Sequence, residues 1–252
     1  MKFSVCIDAL YNGRPSVEAI RAVHEAGAEA FEFWSWTNKD VEGIRSVKDE
    51  LRLSLTTLLT KSNNLVDPAH REEYLDGLRE TVEIARRLGC SRILTTTGQD
   101  TGGPRAEQYR SIVERLKEAS AIAEKAGMTL LLEPLNTKVD HPGYFLSSSE
   151  EAFSILREVG SPSVKLLFDI YHQYITEGEV IGTIREHIGS IGHFHAAGYP
   201  GRHELHIGEI DYGPIFSAIR DTGYDGYVGL EYFPAGEPGE GIRTIIGRQK
   251  AL

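Results

Sequence analysis

Eight times along 252 residues, a short apolar run rich in Val, Ile, Leu, Phe and Thr is followed by an amphipathic stretch of helical period. This alternation is the signature of βαβ units, in which a buried parallel strand needs a crossover helix to reach the next strand. The runs are Phe3 to Ile7, Ala30 to Trp34, Leu53 to Leu58, Arg92 to Thr97, Thr129 to Pro134, Lys165 to Ile170, Ile191 to Ala196 and Tyr227 to Phe233. Most begin shortly after a glycine able to close the preceding helix in the left-handed conformation: Gly27, Gly89, Gly127, Gly160, Gly189 and Gly223. The second helix, near Asp40 to Glu50, lacks such a stop, and Leu51-Arg52-Leu53-Ser54-Leu55 leaves its boundary with the third strand open.

A (β/α)8 barrel typically needs roughly 250 residues, so eight units in this length predict a closed parallel barrel rather than an open doubly wound sheet. Residues 1–252 are expected to form one α/β domain. No GxGxxG follows the first strand, so dinucleotide binding has no support.

The formal net charge of -10, from 37 acidic and 27 basic side chains, would repel a polyanion, and no Lys/Arg cluster offsets it. Nucleic acid is not an expected partner. Met1-Lys2-Phe3-Ser4-Val5-Cys6 has no leader pattern, and no apolar run approaches the roughly 20 residues of a membrane span, so a soluble cytoplasmic protein is expected. A homo-oligomer is left open. Cys6 and Cys90 have no metal or redox spacing and read as buried thiols.

In such barrels the chemistry sits at the C-terminal ends of the strands, where a polar residue interrupts an otherwise apolar run. The last four strands each carry one: Leu132-Glu133-Pro134, Phe168-Asp169-Ile170, His193-Phe194-His195 and Leu230-Glu231-Tyr232. An unpaired buried carboxylate costs several kcal/mol, and few basic residues occur within these strands to pair with them. Three carboxylates and an imidazole converging on one mouth therefore predict a divalent cation between Glu133, Asp169, His195 and Glu231. Oxygen-rich ligation suits Mn2+, Mg2+ or Co2+, with Zn2+ also compatible. His193 shares a face with His195 but lies deeper, as a hydrogen-bonded core histidine.

The segments Glu133-Pro134-Leu135-Asn136-Thr137, Asp169-Ile170-Tyr171-His172, Gly192-His193-Phe194-His195, Pro200-Gly201-Arg202-His203-Glu204 with Gly208-Glu209, and Gly229-Leu230-Glu231-Tyr232 resemble the hydroxypyruvate isomerase family. That family belongs to the xylose-isomerase-like TIM barrels, together with the ketose 3-epimerases, and the resemblance covers nearly the whole chain. It implies that Glu133 and Glu231 are both metal ligands and the proton donor/acceptor pair, with Asp169 and His195 completing the coordination. It also implies that His172 and Arg202 contact substrate oxygens, as in the epimerase branch. Two positions depart from the pattern. Hydroxypyruvate isomerases typically carry glutamine at the position of His195, whereas the epimerases carry histidine. The acidic residue that epimerases place soon after the fifth-strand glutamate falls at Val139, followed by Asp140.

The implied reaction is proton transfer through an enediolate on a small sugar or keto acid. Returning the proton to the adjacent carbon isomerises the substrate, hydroxypyruvate to tartronate semialdehyde; returning it to the opposite face gives a ketose 3-epimerase of the tagatose or psicose type. Glu32, ending the second strand, is a candidate to orient a substrate hydroxyl or to form a structural ion pair. Lys61, after the third, is a candidate for a substrate carboxylate or a solvated lysine. Tyr11, Trp34, Trp36 and Phe145 fall near strand ends, either as pocket walls or as packing. A non-catalytic metal- or sugar-binding barrel is a third reading. A DNA-repair endonuclease on this barrel type would need further histidines, and the third and fourth strand ends, Thr56-Thr57-Leu58-Leu59-Thr60 and Thr95-Thr96-Thr97-Gly98, have none.

Overall fold

The computed structural model describes residues 1–250. Eight strands close into a parallel barrel in chain order, each paired with the next and the last with the first. They are β1 (Lys2–Cys6), β2 (Ala30–Phe33), β3 (Ser54–Leu59), β4 (Arg92–Thr95), β5 (Thr129–Leu132), β6 (Val164–Asp169), β7 (Ile191–Ala196) and β8 (Tyr227–Leu230). The helices around them are α1 (Ile7–Leu10), α2 (Ser16–Glu25), α3 (Val41–Leu51), α4 (Arg71–Leu88), α5 (Arg105–Ala126), α6 (Ser149–Val159), α7 (Ile170–Glu177), α8 (Ile181–His187), α9 (Tyr212–Asp221) and α10 (Pro238–Lys250). No described helix is long and apolar enough to cross a membrane. Cys6 and Cys90 are buried free thiols.

Each outer helix buries one stripe. On α5, Ile112, Leu116, Ala119 and Ala123 recur at helical spacing and are fully buried. Inside the barrel, Leu94, Leu131 and Leu167 form a separate small apolar cluster. Strand side chains alternate between faces, so Glu133, two residues after Leu131, and Asp169, two after Leu167, point into the same interior nearer the mouth.

Three strands end two or three residues earlier than the apolar runs suggest. The ladders of β4, β5 and β8 stop at Thr95, Leu132 and Leu230, so Glu133 and Glu231 each follow the last strand residue. One further backbone bond still fixes each: Glu133 N donates to Thr95 O at 3.1 Å and Glu231 N to Ala196 O at 3.1 Å. Five of the six glycine stops have positive φ; Gly189 does not, and lies instead in a short 3-10 turn, Ile188–Ser190. The helix without a glycine stop, α3, is capped by Arg52 in the left-handed conformation, φ 56°.

Candidate metal centre

Glu133, Asp169, His195 and Glu231 meet at the C-terminal end of the barrel, all buried, with one ligand atom from each lying within 4.8 Å of the others. His195 Nδ1 sits between two carboxylates, 3.5 Å from Glu133 Oε1 and 3.6 Å from Glu231 Oε2. Asp169 ends β6 and also caps α7: its Oδ1 accepts from the backbone N–H groups of Tyr171 (2.8 Å) and His172 (3.2 Å). This fixes the carboxylate and turns Oδ2 toward the centre. Glu231 Oε1 accepts from Trp34 Nε1 at 2.6 Å, and Oε2 pairs with the Arg202 guanidinium.

Arg202 reaches the centre from the loop between β7 and α9. Its own φ is +54°, and its carbonyl accepts from Phe233 N at 2.7 Å, tying the loop to the end of β8. The loop is tight: Glu209 N donates to Tyr199 O at 2.7 Å, and a Cβ on Gly208 would fall 2.1 Å from that same oxygen. The guanidinium lies between the rings of Tyr171 and Phe233, at 5.2 and 5.8 Å, with Asp169 Oδ2 3.8 Å away.

His172, on the first turn of α7, is fully buried. Its Nδ1 receives the backbone N–H of Asn136 at 3.3 Å and lies 2.6 Å from Asn136 Nδ2. With Nδ1 accepting, the ring proton is assigned to Nε2, which has no hydrogen-bond partner and lies 3.6 Å from Asp169 Oδ2. Asn136 has no role in the sequence reading. Its Oδ1 accepts from Val139 N and Asp140 N, and its Nδ2 donates to Asp140 Oδ2. An Asn accepting three and four residues ahead is a turn signal, but the histidine it serves is 36 residues away.

Electrostatics divide the carboxylates. Burial lifts Glu133 to about 7, opposed by His195 and reinforced by the charges of Glu231 and Asp169. Burial lifts Asp169 to about 6 despite Arg202. Glu231 feels the same burial, but His195 and Arg202 outweigh it and hold the carboxyl well below its ordinary range. Burial alone would lower His195; the charges of Glu231 and Glu32 overcome it and raise it. Burial, with Arg202 nearby, keeps His172 neutral.

A divalent cation fits these donors. Glu133 Oε1 and His195 Nδ1 are buried with no hydrogen-bond partner, and both face the shared centre. Hard-cation ligands lie about 2.0–2.2 Å from the ion, so ligands across it are separated by about 4 Å, the scale of this cluster.

Not every residue singled out in the sequence joins it. Lys61 is exposed, and its ammonium is held by both oxygens of Glu80 at 2.8 and 2.7 Å rather than by any group of the cluster. Glu32 is buried beneath the centre, bonded to His193 and to the hydroxyls of Ser4 and Thr56 rather than open to a substrate. His193 is fully buried and meets Glu32 at 2.9 Å. Of the aromatics, Trp34 touches a ligand; Trp36 Nε1 instead bonds Thr81 Oγ1, and the ring of Phe145 lies under the guanidinium of Arg105.

The family described as xylose isomerase-like TIM barrel matches residues 20–252. A putative hydroxypyruvate isomerase of Mus musculus is 32% identical, over 97% of this chain and 94% of that protein. The hydroxypyruvate isomerase of Escherichia coli K12 is 29% identical, over 97% and 98%. A 2-oxo-tetronate isomerase of Cupriavidus necator is 35% identical over 72% and 71%. Among solved structures, one titled AP endonuclease, family 2, from Brucella melitensis superposes with a TM-score of 0.93 at 27% identity, covering 98% of both chains. An L-ribulose 3-epimerase superposes at 0.82 and 21% identity, over 100% of this chain and 97% of that one.

Proposed function

We propose, for a chain that belongs to the xylose isomerase-like TIM barrel family and within it to the hydroxypyruvate isomerases, a metal-dependent isomerisation of a small hydroxy-keto acid. Glu133, Asp169, His195 and Glu231 hold one divalent ion, Mn2+, Mg2+ or Co2+, with Zn2+ also compatible. When bound there, the ion supplies positive charge for the two adjacent substrate oxygens and so acidifies the C–H between them.

The observation that carries this reading is the pairing of Glu133 and Glu231 about His195 Nδ1. Coming from β5 and β8, the two carboxylates flank the place where the substrate carbon would lie. Either carboxylate can take the proton from the substrate carbon and the other side of the pair can return it. For hydroxypyruvate, the proton leaves C3 and returns to C2, while the O3 proton passes to O2, giving tartronate semialdehyde with no other reactant. His172 offers its Nε2–H to a substrate oxygen, and Arg202 offers the cation nearest the centre for the substrate carboxylate.

The second reading is 3-epimerisation of a free ketose of the tagatose or psicose type. The pair supports it as well, because carboxylates on two strands can address opposite faces of one carbon. Nucleic acid does not suit the site: the chain carries a net charge of -10, and no histidine extends the cluster from β3 or β4. The reading places the enzyme in the cytoplasm, acting on a free metabolite, as a monomer or a homo-oligomer.

The test is proton NMR in D2O of the Mn2+-, Mg2+- or Co2+-reconstituted protein with hydroxypyruvate and, separately, with fructose, tagatose and ribulose. Tartronate semialdehyde supports the isomerase. Deuterium at C3 of a new ketose establishes the epimerase instead, and no exchange with any substrate and metal rejects both.

A further inference from the structure

Glu32 is 2% exposed within the barrel, where an ionised carboxylate must be compensated. Its Oε2 accepts from Ser4 Oγ at 2.7 Å, Thr56 Oγ1 at 2.6 Å and His193 Nε2 at 2.9 Å. Three other strands, β1, β3 and β7, are thus committed to fixing one oxygen. The other, Oε1, points across the barrel and lies 2.8 Å from His195 Nε2, within hydrogen-bond reach though off the ideal line.

That approach depends on Gly229. It sits in register with His195 of β7 and Ser4 of β1, and a Cβ on it would lie 2.2 Å from Glu32 Oε1 and 2.6 Å from His195 Cδ2. The missing side chain opens a corridor from β2 to β7 under the mouth. An imidazole has two distinct nitrogens, and a proton committed to Glu32 through Nε2 leaves Nδ1 bare, between Glu133 and Glu231.

We propose that Glu32, passing through the gap left by Gly229 and steadied by His193, is a positioning residue that fixes the tautomer and rotation of His195 and strengthens Nδ1 as a metal ligand. It acts through His195 and does not touch substrate. The inference rests on the metal reading above. A carboxylate behind a ligating imidazole typically changes metal affinity by about 10–100-fold.

The experiment is Mn2+ titration of wild type and Glu32→Gln, following free Mn2+ by EPR, with imidazole 1H–15N correlation on the Zn2+-loaded wild type. Expected are a dissociation constant raised about 10–100-fold in E32Q and, in the wild type, His195 ligating through Nδ1 with its proton on Nε2. A purely structural ion pair would alter the melting temperature of E32Q but leave its Mn2+ affinity within about twofold, which overturns the proposal. Ligation through Nε2 in the wild type overturns it too, without needing a variant that folds. A wild type that takes up neither Mn2+ nor Zn2+ sinks the metal reading itself, a distinct outcome.

Discussion

Asn136 holds His172 by its only accepting nitrogen: backbone and side-chain N–H groups from one residue both converge on Nδ1, leaving Nε2–H directed at the metal centre. In the proposed reaction, the donor offered to substrate is therefore set by a residue on the loop after β5. Asn136→Ala should lower kcat/KM by about 10–100-fold, because an unoriented imidazole forfeits a hydrogen bond of about 1–3 kcal/mol. Steady-state kinetics check this. If kcat/KM is unchanged, His172 is oriented by something else.

Glu133→Gln and Glu231→Gln should each reduce proton exchange into substrate by about 10²–10⁴-fold, the usual contribution of a positioned acid or base. Solvent deuterium incorporation measures it directly. Retained exchange in either variant would remove that residue from the proton path.

In the metal-free chain, Glu133 at about 7 and Asp169 at about 6 bind protons more tightly folded than unfolded. Between their unfolded values, near 4, and these folded values the native state carries the extra protons, so stability falls as pH rises. Their contribution is complete below about pH 4 and lost through pH 6 and 7. Glu231 has the opposite sign, but its contribution is lost only below the ordinary carboxylate range; His172 and His193, lowered by burial, oppose the trend below about pH 6.5, and His195, raised by Glu231 and Glu32, reinforces it. Melts in EDTA should thus show a lower Tm at about pH 8 than at about pH 5.5, and saturating Mn2+ should narrow or reverse the difference, since ligands must be deprotonated to bind it. A flat EDTA profile would contradict the shifts.

Removing metal should destabilise the fold. Metal at 100 times its dissociation constant stabilises by about 2.7 kcal/mol, and each kcal/mol moves the melting temperature of a chain this size by about 2–4 °C. Adding Mn2+ to the chelated protein should raise Tm by about 5–10 °C in scanning calorimetry. No shift at millimolar Mn2+ would count against a resident ion.

Lys61→Met should change kcat/KM for a keto acid by less than about twofold, because its ammonium is already paired with Glu80 on the surface. Arg202→Met should lose about 10–100-fold on the keto acid, the scale of a charge-assisted bond. Comparable losses in both variants would return Lys61 to the substrate site.

The eightfold alternation was enough to read the barrel, and the polar ends of the last four apolar runs picked out Glu133, Asp169, His195 and Glu231. Both signals are local: apolar spacing tells which face of a strand is buried, and an acid in such a run demands a partner. Gly189 misled because a glycine permits a left-handed stop without requiring one, and Arg52 shows that another residue can take that conformation where the chain demands it.

The partners of the site lay beyond local pattern. Glu32 lies within an apolar run and Lys61 just after one, yet one points beneath the candidate metal centre and the other pairs with Glu80. The spacing of Glu32 from His193 and His195, of Asn136 from His172, and of Trp34 from Glu231 carries no period that a single chain displays. The barrel and the four groups that could hold a cation were legible along the chain, because burial and charge act residue by residue. Which nitrogen of His195 faces the centre emerges from barrel closure, because it depends on β2, β7 and β8 meeting across the interior where Gly229 leaves room.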